Sequence, residues 1–529
     1  MTDINGLLVA AYGEDLVRYV FNIPDAEKLD GFAARADQTV VNTLIHFALQ
    51  TAHTGSLNAS LTAVMNLGQY MPDEGTSLIQ FLRKKSGGLI PSYDADANDP
   101  ILQAFTAILS DVWPLYLIPP PKGERGTGFF MANPSAVMSH PKLAELAQCI
   151  MEDPELSKLF PDPGEGQTRP DNPLMESSEW VINVSGGGTR NLVGVVSGLL
   201  YDARLRAKIA GKKLTLDSIM FGLLQSLDAL RSLASGKVVD VPVIVGFSGI
   251  FLHENEEIDF SDGILRGIRT GEHPLLLNGS GACGAIYETT FPLRIFETVK
   301  TGPGDDWNKP FKKYQARVTE ALKTFQYSLE KVQLALLLSS EGDELIAPKE
   351  ESRLTLDPAN MGGLAQWRAS DHSPSNTTLQ PSKYSEVLAT YNVIRKKHPE
   401  SLNIAMKRLL SAASSRIDAN DALIDALIAW ENMFGTRQET TFRVTASLAK
   451  ILESDPTDRI ILQKELNKLY AVRSSMVHGA KEPDPETAEK NRYRVIRVAI
   501  DALTRLYHER PELLAMSPED RSKTVLLEG

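Results

Sequence analysis

The sequence contains few cysteines and no long apolar run. Only two cysteines, Cys149 and Cys283, occur among the 529 residues. They lie too far apart for a disulfide framework or for the paired cysteines of a zinc site. No apolar stretch approaches the ~18–20 residues that span a bilayer, and no basic region precedes the apolar patch at the N-terminus. These absences favour a soluble protein of a reducing compartment, which we expect in the cytoplasm without contact to a membrane.

Positive charge is also scarce overall, but it is unevenly distributed. The chain carries 55 Lys and Arg against 67 Asp and Glu, which gives a net charge of −12. An acidic protein of this kind is unlike a general nucleic-acid coat. Residues 381–510, however, hold 21 Lys and Arg against 17 Asp and Glu. This segment can engage phosphates locally, although ordinary variation between domains explains the same numbers.

Apolar periodicity and chain breakers divide the sequence into four parts. Residues 1–165 show helical spacing and predict a helix-rich N-terminal region. Residues 176–340 combine helical patterns with runs rich in Val and Ile, which predict a mixed α+β domain with a small antiparallel sheet. Residues 341–382 are polar and contain four prolines, as expected of a loop or linker, and the run RLTL, residues 353–356, is a candidate strand within it. Residues 383–512 show only helical patterns and predict an all-α bundle. The predicted fold class is therefore α+β with several domains.

Three segments of the bundle carry a family resemblance. They are DALIDALIAWENMFG, ETTFRVTASLAKIL and LNKLYAVRSSMVHG, and they follow one another in this order. The last contains Arg473 and, five residues later, His478, a spacing that arises by chance too readily to be informative alone. Together, the segments closely resemble the Apea-like branch of the HEPN family. The resemblance covers about residues 383–510.

The resemblance implies a metal-independent RNA endonuclease that needs no cofactor. In such families, Arg and His motifs from two protomers meet across a dimer interface, so a homodimer through the C-terminal bundle is expected. Arg473 and His478 occupy the catalytic positions, and Ser474 fills the polar position beside the arginine. Glu431 corresponds to an acidic residue that faces the site, and Tyr470 is a supporting aromatic residue that stacks on a base or packs in the core.

The chemistry of these residue types suits RNA cleavage. RNA carries its own nucleophile, the 2′-hydroxyl. A histidine can accept or donate the required proton near neutral pH, and an arginine can stabilise charge on the phosphate. On an ideal helix Arg473 and His478 point about 140° apart, so a second protomer or a frayed helix end is needed to bring them together. Alternatively, His478 before Gly479 is ordinary helix-ending chemistry.

Further basic residues open the last helix of the bundle. Arg492, Arg494 and Arg497 either line an RNA groove or form a solvated face. No cluster of carboxylates, cysteines and histidines predicts a metal site. The expected partner is RNA, for example tRNA or mRNA.

A glycine-rich segment in the middle region is a second candidate site. Ser185, Gly186, Gly187, Gly188, Thr189 and Arg190 lie between a strand-like run and a helical pattern. Backbone N–H groups at such a turn can hold a phosphate, but the segment lacks the Walker A pattern. It is distantly similar to the Gly-Gly-Thr loop of CARF-type nucleotide sensors. A plain tight turn is the alternative.

These observations predict an RNA endonuclease whose activity is restrained or triggered by its N-terminal region. By analogy with the family, we expect a bacterial anti-phage or abortive-infection effector, with a phage-derived molecule or a nucleotide as trigger. Two alternatives remain. One is a non-catalytic HEPN module that dimerises or binds RNA, and the other is a ligand-gated nucleotide sensor that uses the glycine-rich segment.

Overall fold

A computed structural model provides the structure of the protein. It describes residues 3–51, 56–119, 136–137, 139–163, 168–269, 272, 283–300, 306, 308–342, 344–360, 364–367, 373–477 and 482–528. The protein is α+β, with antiparallel sheets among many helices, so the α+β part of the predicted class is confirmed. None of the described helices is long and apolar enough to cross a membrane.

The N-terminal part is built from helices around one short hairpin. The helices are α1 (Ile4–Tyr12), α2 (Glu14–Val20), α3 (Phe32–Arg35), α4 (Gln38–Thr51), α5 (Ser56–Leu67), α6 (Leu78–Lys85), α7 (Pro100–Val112) and α8 (Leu143–Glu152). Strands β1 (Tyr70–Met71) and β2 (Thr76–Ser77) pair antiparallel. Asp99 begins α7 by accepting the N–H groups of Ile101 and Leu102, and Pro100 occupies the first helical turn.

The described residues of the middle part form two antiparallel sheets and three helices. The strands are β3 (Ser177–Ile182), β4 (Gly188–Asn191), β5 (Val239–Ser248), β6 (Glu257–Phe260), β7 (Gly263–Arg266), β8 (Ala285–Leu293) and β9 (Ile295–Val299). The helices are α9 (Leu192–Ile209), α10 (Leu216–Ala234) and α11 (Asn308–Leu338). Strands β4, β3 and β9 form a three-stranded sheet in that order, and the remaining strands belong to a six-stranded sheet.

The range 341–382 contributes to this larger sheet, although the sequence predicts a linker there. Strands β10 (Lys349–Thr355) and β11 (Leu364–Trp367) complete the order β11-β10-β5-β8-β7-β6. Strand β10 is buried along almost its whole length and pairs with β5 on one side and β11 on the other. The polar composition and the prolines of 341–382 therefore mark the loops around two strands, rather than a free connection between domains.

The described elements of the C-terminal part are all helices. They comprise α12 (Tyr384–Lys397), α13 (Asn403–Leu410), α14 (Ala419–Phe434), α15 (Thr440–Leu452), α16 (Pro456–Val477), α17 (Pro485–His508) and α18 (Pro518–Leu527). A π-helical turn, Ser411–Ser415, extends α13. Helix α18 lies beyond the predicted end of the bundle at residue 512, yet it packs against α14 and α15.

The bundle and the middle part share one apolar core. Buried residues from Leu8 to Val525 form a continuous cluster. Helix α11 joins the two parts, because its C-terminal half is buried and packs against α12, α13 and α17. Arg497 of α17 also donates to the carbonyl oxygens of Ser340 and Gly342, both at 2.8 Å, just after the end of α11. These contacts tie the bundle to the rest of the chain.

Candidate active site

Three of the residues selected from the sequence line one cleft in the bundle. Helix α14 supplies Glu431, and helix α16 supplies Tyr470 and Arg473. Tyr470 and Arg473 are three residues apart, so they lie on the same face of α16. The cleft has a volume of about 700 Å³. Residues that are 42 positions apart in sequence are thus brought to one concave surface.

Glu431 connects the two residues of α16. Its Oε1 lies 3.3 Å from Nη1 of Arg473 and accepts a long hydrogen bond of 3.5 Å from the Tyr470 hydroxyl. Burial, together with the nearby Glu431 carboxylate, raises the pKa of the Tyr470 hydroxyl, which therefore stays protonated as a donor. Behind them, the buried Trp430 packs near the Tyr470 ring and donates Nε1 to the Val495 carbonyl at 3.1 Å.

The Arg473 guanidinium retains hydrogen-bonding capacity. Its side chain is 32% exposed, and Glu431 contacts it at Nη1. Its Nε is buried and has no hydrogen-bond partner among the described residues. An arginine has five N–H donors in a planar fork that matches phosphate oxygens. The arrangement therefore places a partly unsatisfied cation at the wall of a cleft, held in position by a carboxylate.

Eight further lining residues were not selected from the sequence. They include Thr436, Arg437, Thr440, Ser517 and Glu519. Arg437 is exposed, and no ion pair joins it to another residue of the described chain. Thr440 begins α15, whose N-cap residue, Glu439, has a left-handed φ of 53° and makes no side-chain capping bond. Ser517 caps α18 by accepting the N–H of Asp520 at 3.2 Å. Two helix N-termini, which favour anions, therefore border the cleft.

Arg521 explains why α18 reaches this cleft. This side chain is completely buried and donates from Nη1 to the Met433 carbonyl at 2.6 Å and from Nε to the Leu513 carbonyl at 3.0 Å. Burial lowers the pKa of Arg521 to about 10, so the side chain remains charged at neutral pH. By bonding the end of α14 and the start of the C-terminal segment, Arg521 fixes Ser517 beside the cleft.

The structure describes the Arg473–His478 motif only as far as Val477. Helix α16 is described to Val477, and His478 and Gly479 lie outside the described residues. Ser474 is exposed and does not line the cleft. The structure therefore positions Arg473, Glu431 and Tyr470, whereas the position of His478 relative to Arg473 stays a prediction.

The three arginines predicted to bind RNA, Arg492, Arg494 and Arg497, lie in α17. They do not line this cleft, and each makes intramolecular contacts. Arg494 binds both carboxylate oxygens of Glu465, at 2.6 and 3.1 Å. Arg497 holds the carbonyl groups that follow α11, as described above. Arg492 lies 3.6 Å from Glu489 and donates a long bond to the Ala412 carbonyl. Their role in RNA binding stays a prediction, and these contacts provide a structural role for Arg494 and Arg497.

The glycine-rich segment forms the turn of a β-hairpin. Strand β4 folds back on β3, and Trp180 is paired with Gly188. Thr189 donates to the Glu179 carboxylate at 2.6 Å. Burial raises the pKa of the fully buried Asp357 to about 6, while the Arg190 guanidinium acts in the opposite direction. The sequence pattern predicts a strand, a turn and a helix. The structure adds the short strand β4 between the turn and α9, and the side chains of Thr189 and Arg190 make hydrogen bonds within this hairpin.

We predict that Gly187→Ala destabilises the protein more than Gly186→Ala. Both glycines have left-handed φ values, of 127° and 78° respectively. A Cβ at Gly187 would lie 2.1 Å from the Trp180 carbonyl oxygen, whereas a Cβ at Gly186 would meet nothing within 4 Å. We expect the free energy of unfolding to fall by about 3 kcal/mol for Gly187→Ala and by about 1 kcal/mol for Gly186→Ala.

Urea unfolding followed by circular dichroism measures both changes. Equal losses for the two variants would contradict the close packing of Gly187. A substitution at Gly187 consequently does not isolate a role in ligand binding, because it perturbs the hairpin itself.

Comparisons with known proteins add no family assignment. No protein-family model matches the chain, and neither the curated proteins nor the solved structures contain a match. Within the described residues, no group of three or more His, Cys, Asp and Glu side chains could hold a metal ion. The candidate site therefore depends on the geometry of the cleft and on the resemblance of the sequence segments that form it.

Proposed function

We propose that the chain is a metal-independent RNA endonuclease of the HEPN type and that the cleft around Arg473 binds the phosphate to be cleaved. The observation that carries this proposal is the meeting of Glu431, Tyr470 and Arg473 in one cleft. These residues were selected from the sequence pattern alone, and they come from two different helices. A shared cleft is what a common site requires.

The charges around the cleft support a phosphate ligand. Arg473 and Arg437 provide two guanidinium groups, and the N-termini of α15 and α18 add partial positive charge. Glu431 and Glu519 of the lining balance the two guanidinium charges, and Glu431 also holds the Arg473 fork in place. Preorganised donors stabilise charge that develops on a phosphate during cleavage.

The proposed reaction uses the RNA 2′-hydroxyl as the nucleophile. This oxygen attacks the adjacent phosphorus, the bond to the 5′-oxygen breaks, and a 2′,3′-cyclic phosphate forms. Arg473 stabilises the charge on the phosphate oxygens. His478 moves a proton, either from the 2′-hydroxyl or to the leaving 5′-oxygen. No metal ion takes part in these steps.

We further propose that two protomers form the complete site. Large apolar side chains are exposed on the two helices beside the cleft, where Phe442 of α15 and Val477 of α16 are 57% and 61% exposed. Thr441, the neighbour of Phe442, lines the cleft, and Val477 directly precedes His478. An apolar surface next to an incomplete site suits a homodimer through the bundle.

The remainder of the chain is proposed to regulate this activity. Helix α11 and the contacts of Arg497 join the bundle to the middle part, so the bundle is not a free appendage. A cytoplasmic nuclease under such control suits a bacterial anti-phage or abortive-infection effector that responds to a phage-derived molecule or a nucleotide. This last step rests on analogy with the family.

Cleavage of total RNA in the presence of EDTA tests the proposed activity. We expect the purified protein to cut RNA without added metal and to leave 5′-hydroxyl and 2′,3′-cyclic phosphate ends, of which the cyclic ends resist ligation at the 3′ side until the phosphate is opened and removed. Cleavage that stops when EDTA is added would contradict the mechanism. Saturable RNA binding without cleavage would instead support a non-catalytic RNA-binding module.

A further inference from the structure

A second cleft, larger than the one around Arg473, lies in the middle part of the protein. Its volume is about 1060 Å³. One wall is a single face of α11, on which Arg317, Ala321 and Phe325 follow at intervals of one helical turn. The opposite side is formed by residues of the six-stranded sheet, including Pro242 of β5 and Pro292 of β8. Volumes of this size are typical of sites that enclose small molecules.

The strand arrangement leaves a gap where this cleft opens. Strand β7 begins at Gly263, opposite Thr289 of β8. Strand β8 continues to Leu293, and over this stretch it remains paired with β5 on its other edge. Thr290 and Pro292, which lie past the end of the β7 pairing, line the cleft. A ligand can therefore reach the sheet at this point without breaking a pair of strands.

The charged side chains that line the cleft differ in whether they have a partner of opposite charge. Asp262 accepts from the Tyr391 hydroxyl at 2.7 Å and pairs with Arg395 at 3.1 Å. Glu288 accepts from Nε of Arg266 at 2.9 Å. The lining carboxylates of β8 and of the β6–β7 turn thus each have a basic partner, although Glu288 shares Arg266 with Glu272.

The cation on α11 has no such partner. Glu320, the carboxylate that α11 contributes, has Lys323 at 3.9 Å. Arg317, in contrast, lies over the Phe296 ring, 5.0 Å from its centroid, and pairs with no carboxylate in the described ranges. The cleft thus offers one unpaired cation beside an aromatic ring.

We propose that this cleft binds a small molecule with a flat apolar body and one anionic group. The anionic group contacts Arg317, and the body lies against the apolar walls provided by Pro242, Pro292 and Phe325. Charge-assisted bonds from an arginine are strong and directional, which fixes one end of the ligand. The inference is independent of the proposed nuclease activity.

The position of the cleft connects it to the bundle. Helix α11 forms one wall with its central turns, residues 317–329, and the helix also packs against α12, α13 and α17. Asp262, at the rim, bonds Tyr391 and Arg395 of α12. A bound molecule therefore lies against the groups that join the sheet to the bundle.

Two matched fluorescent probes test the inference on the full-length protein. One is 8-anilinonaphthalene-1-sulfonate, and the other is N-phenyl-1-naphthylamine, which has the same aromatic body without the sulfonate. We expect the wild-type protein to bind one equivalent of the sulfonated probe, about tenfold more tightly than the neutral one. In Arg317→Gln, both probes are expected to bind with affinities within twofold of each other.

Two further variants complete the design. Ala321→Trp fills the cleft and is expected to remove saturable binding of both probes. Lys312→Gln removes one positive charge from the same helix outside the cleft lining, so it is expected to leave both affinities unchanged. Equal affinity of wild type for the two probes, or a preference that survives Arg317→Gln, would overturn the proposal. Saturable binding that persists in a folded Ala321→Trp would overturn it as well.

Discussion

The variant His478→Ala is expected to cleave RNA ~10²–10⁴-fold more slowly than the wild-type protein, the usual effect of removing one general acid–base residue. No other side chain of the Arg473–His478 motif titrates near neutral pH. Without it, the proton on the 2′-hydroxyl or the charge on the leaving 5′-oxygen must be handled by water. Single-turnover cleavage of a labelled RNA measures the rate, and EDTA is present throughout.

His508 provides a matched control for His478. His508 lies in the last turn of α17, is exposed, and bonds the Thr390 hydroxyl at 3.2 Å. His508→Ala removes a histidine from a helix end of the same bundle, outside the proposed site, and is expected to retain full activity. Equal activity of His478→Ala and wild type would show that His478 is only a helix-ending residue. The bundle would then remain a candidate for dimerisation or RNA binding.

Local patterns predicted the helices of the bundle because each helix carries its own signals. The sequence offers Asp418, Asn420 and Asp421 as candidate caps of α14, and Asp418 is the cap, since it accepts the N–H groups of the other two at 2.8 and 3.0 Å. Gly435 was expected after the end of this helix, and it follows Phe434. Helix α15 has the bounds that its apolar spacing predicts. Capping and periodicity act within a few residues, so a sequence displays them directly.

Contacts between distant residues were less accessible to prediction. The run RLTL indicates only the C-terminal half of strand β10, because Lys349 and the glutamates that follow it suggest solvent, although Lys349 is buried. Arg437 and Ser517 line the same cleft as Arg473, and the bonds of Arg521 hold α18 in place there. No local sequence pattern indicates that these residues lie close together. Ser517 followed by Pro518 is a typical start of a helix, but this pattern does not indicate which other helices α18 packs against.

The variant Arg473→Ala is expected to lower the cleavage rate by ~10²–10³-fold, because it removes a preorganised cation from the proposed phosphate site. It also leaves the Glu431 carboxylate without the guanidinium that lies 3.3 Å away. The cleft then becomes more negative and binds RNA less well, so KM should rise as kcat falls. Arg473→Lys should recover only part of the rate, since a point charge replaces a planar fork. Ser474→Ala should have a smaller effect, because this side chain is exposed outside the cleft.

Charge on α16 and charge in the cleft can be separated by two further variants. Lys468→Ala removes one positive charge from an exposed position of the same helix and is expected to retain activity. Glu431→Gln, introduced into Arg473→Ala, removes the uncompensated carboxylate, so KM should return toward the wild-type value while kcat stays low. Such a split separates phosphate binding, which depends on net charge, from stabilisation of the reacting phosphate, which requires the Arg473 fork. If Lys468→Ala lost as much activity as Arg473→Ala, general attraction of RNA to the bundle would explain both results, and the proposed role of the cleft would be wrong.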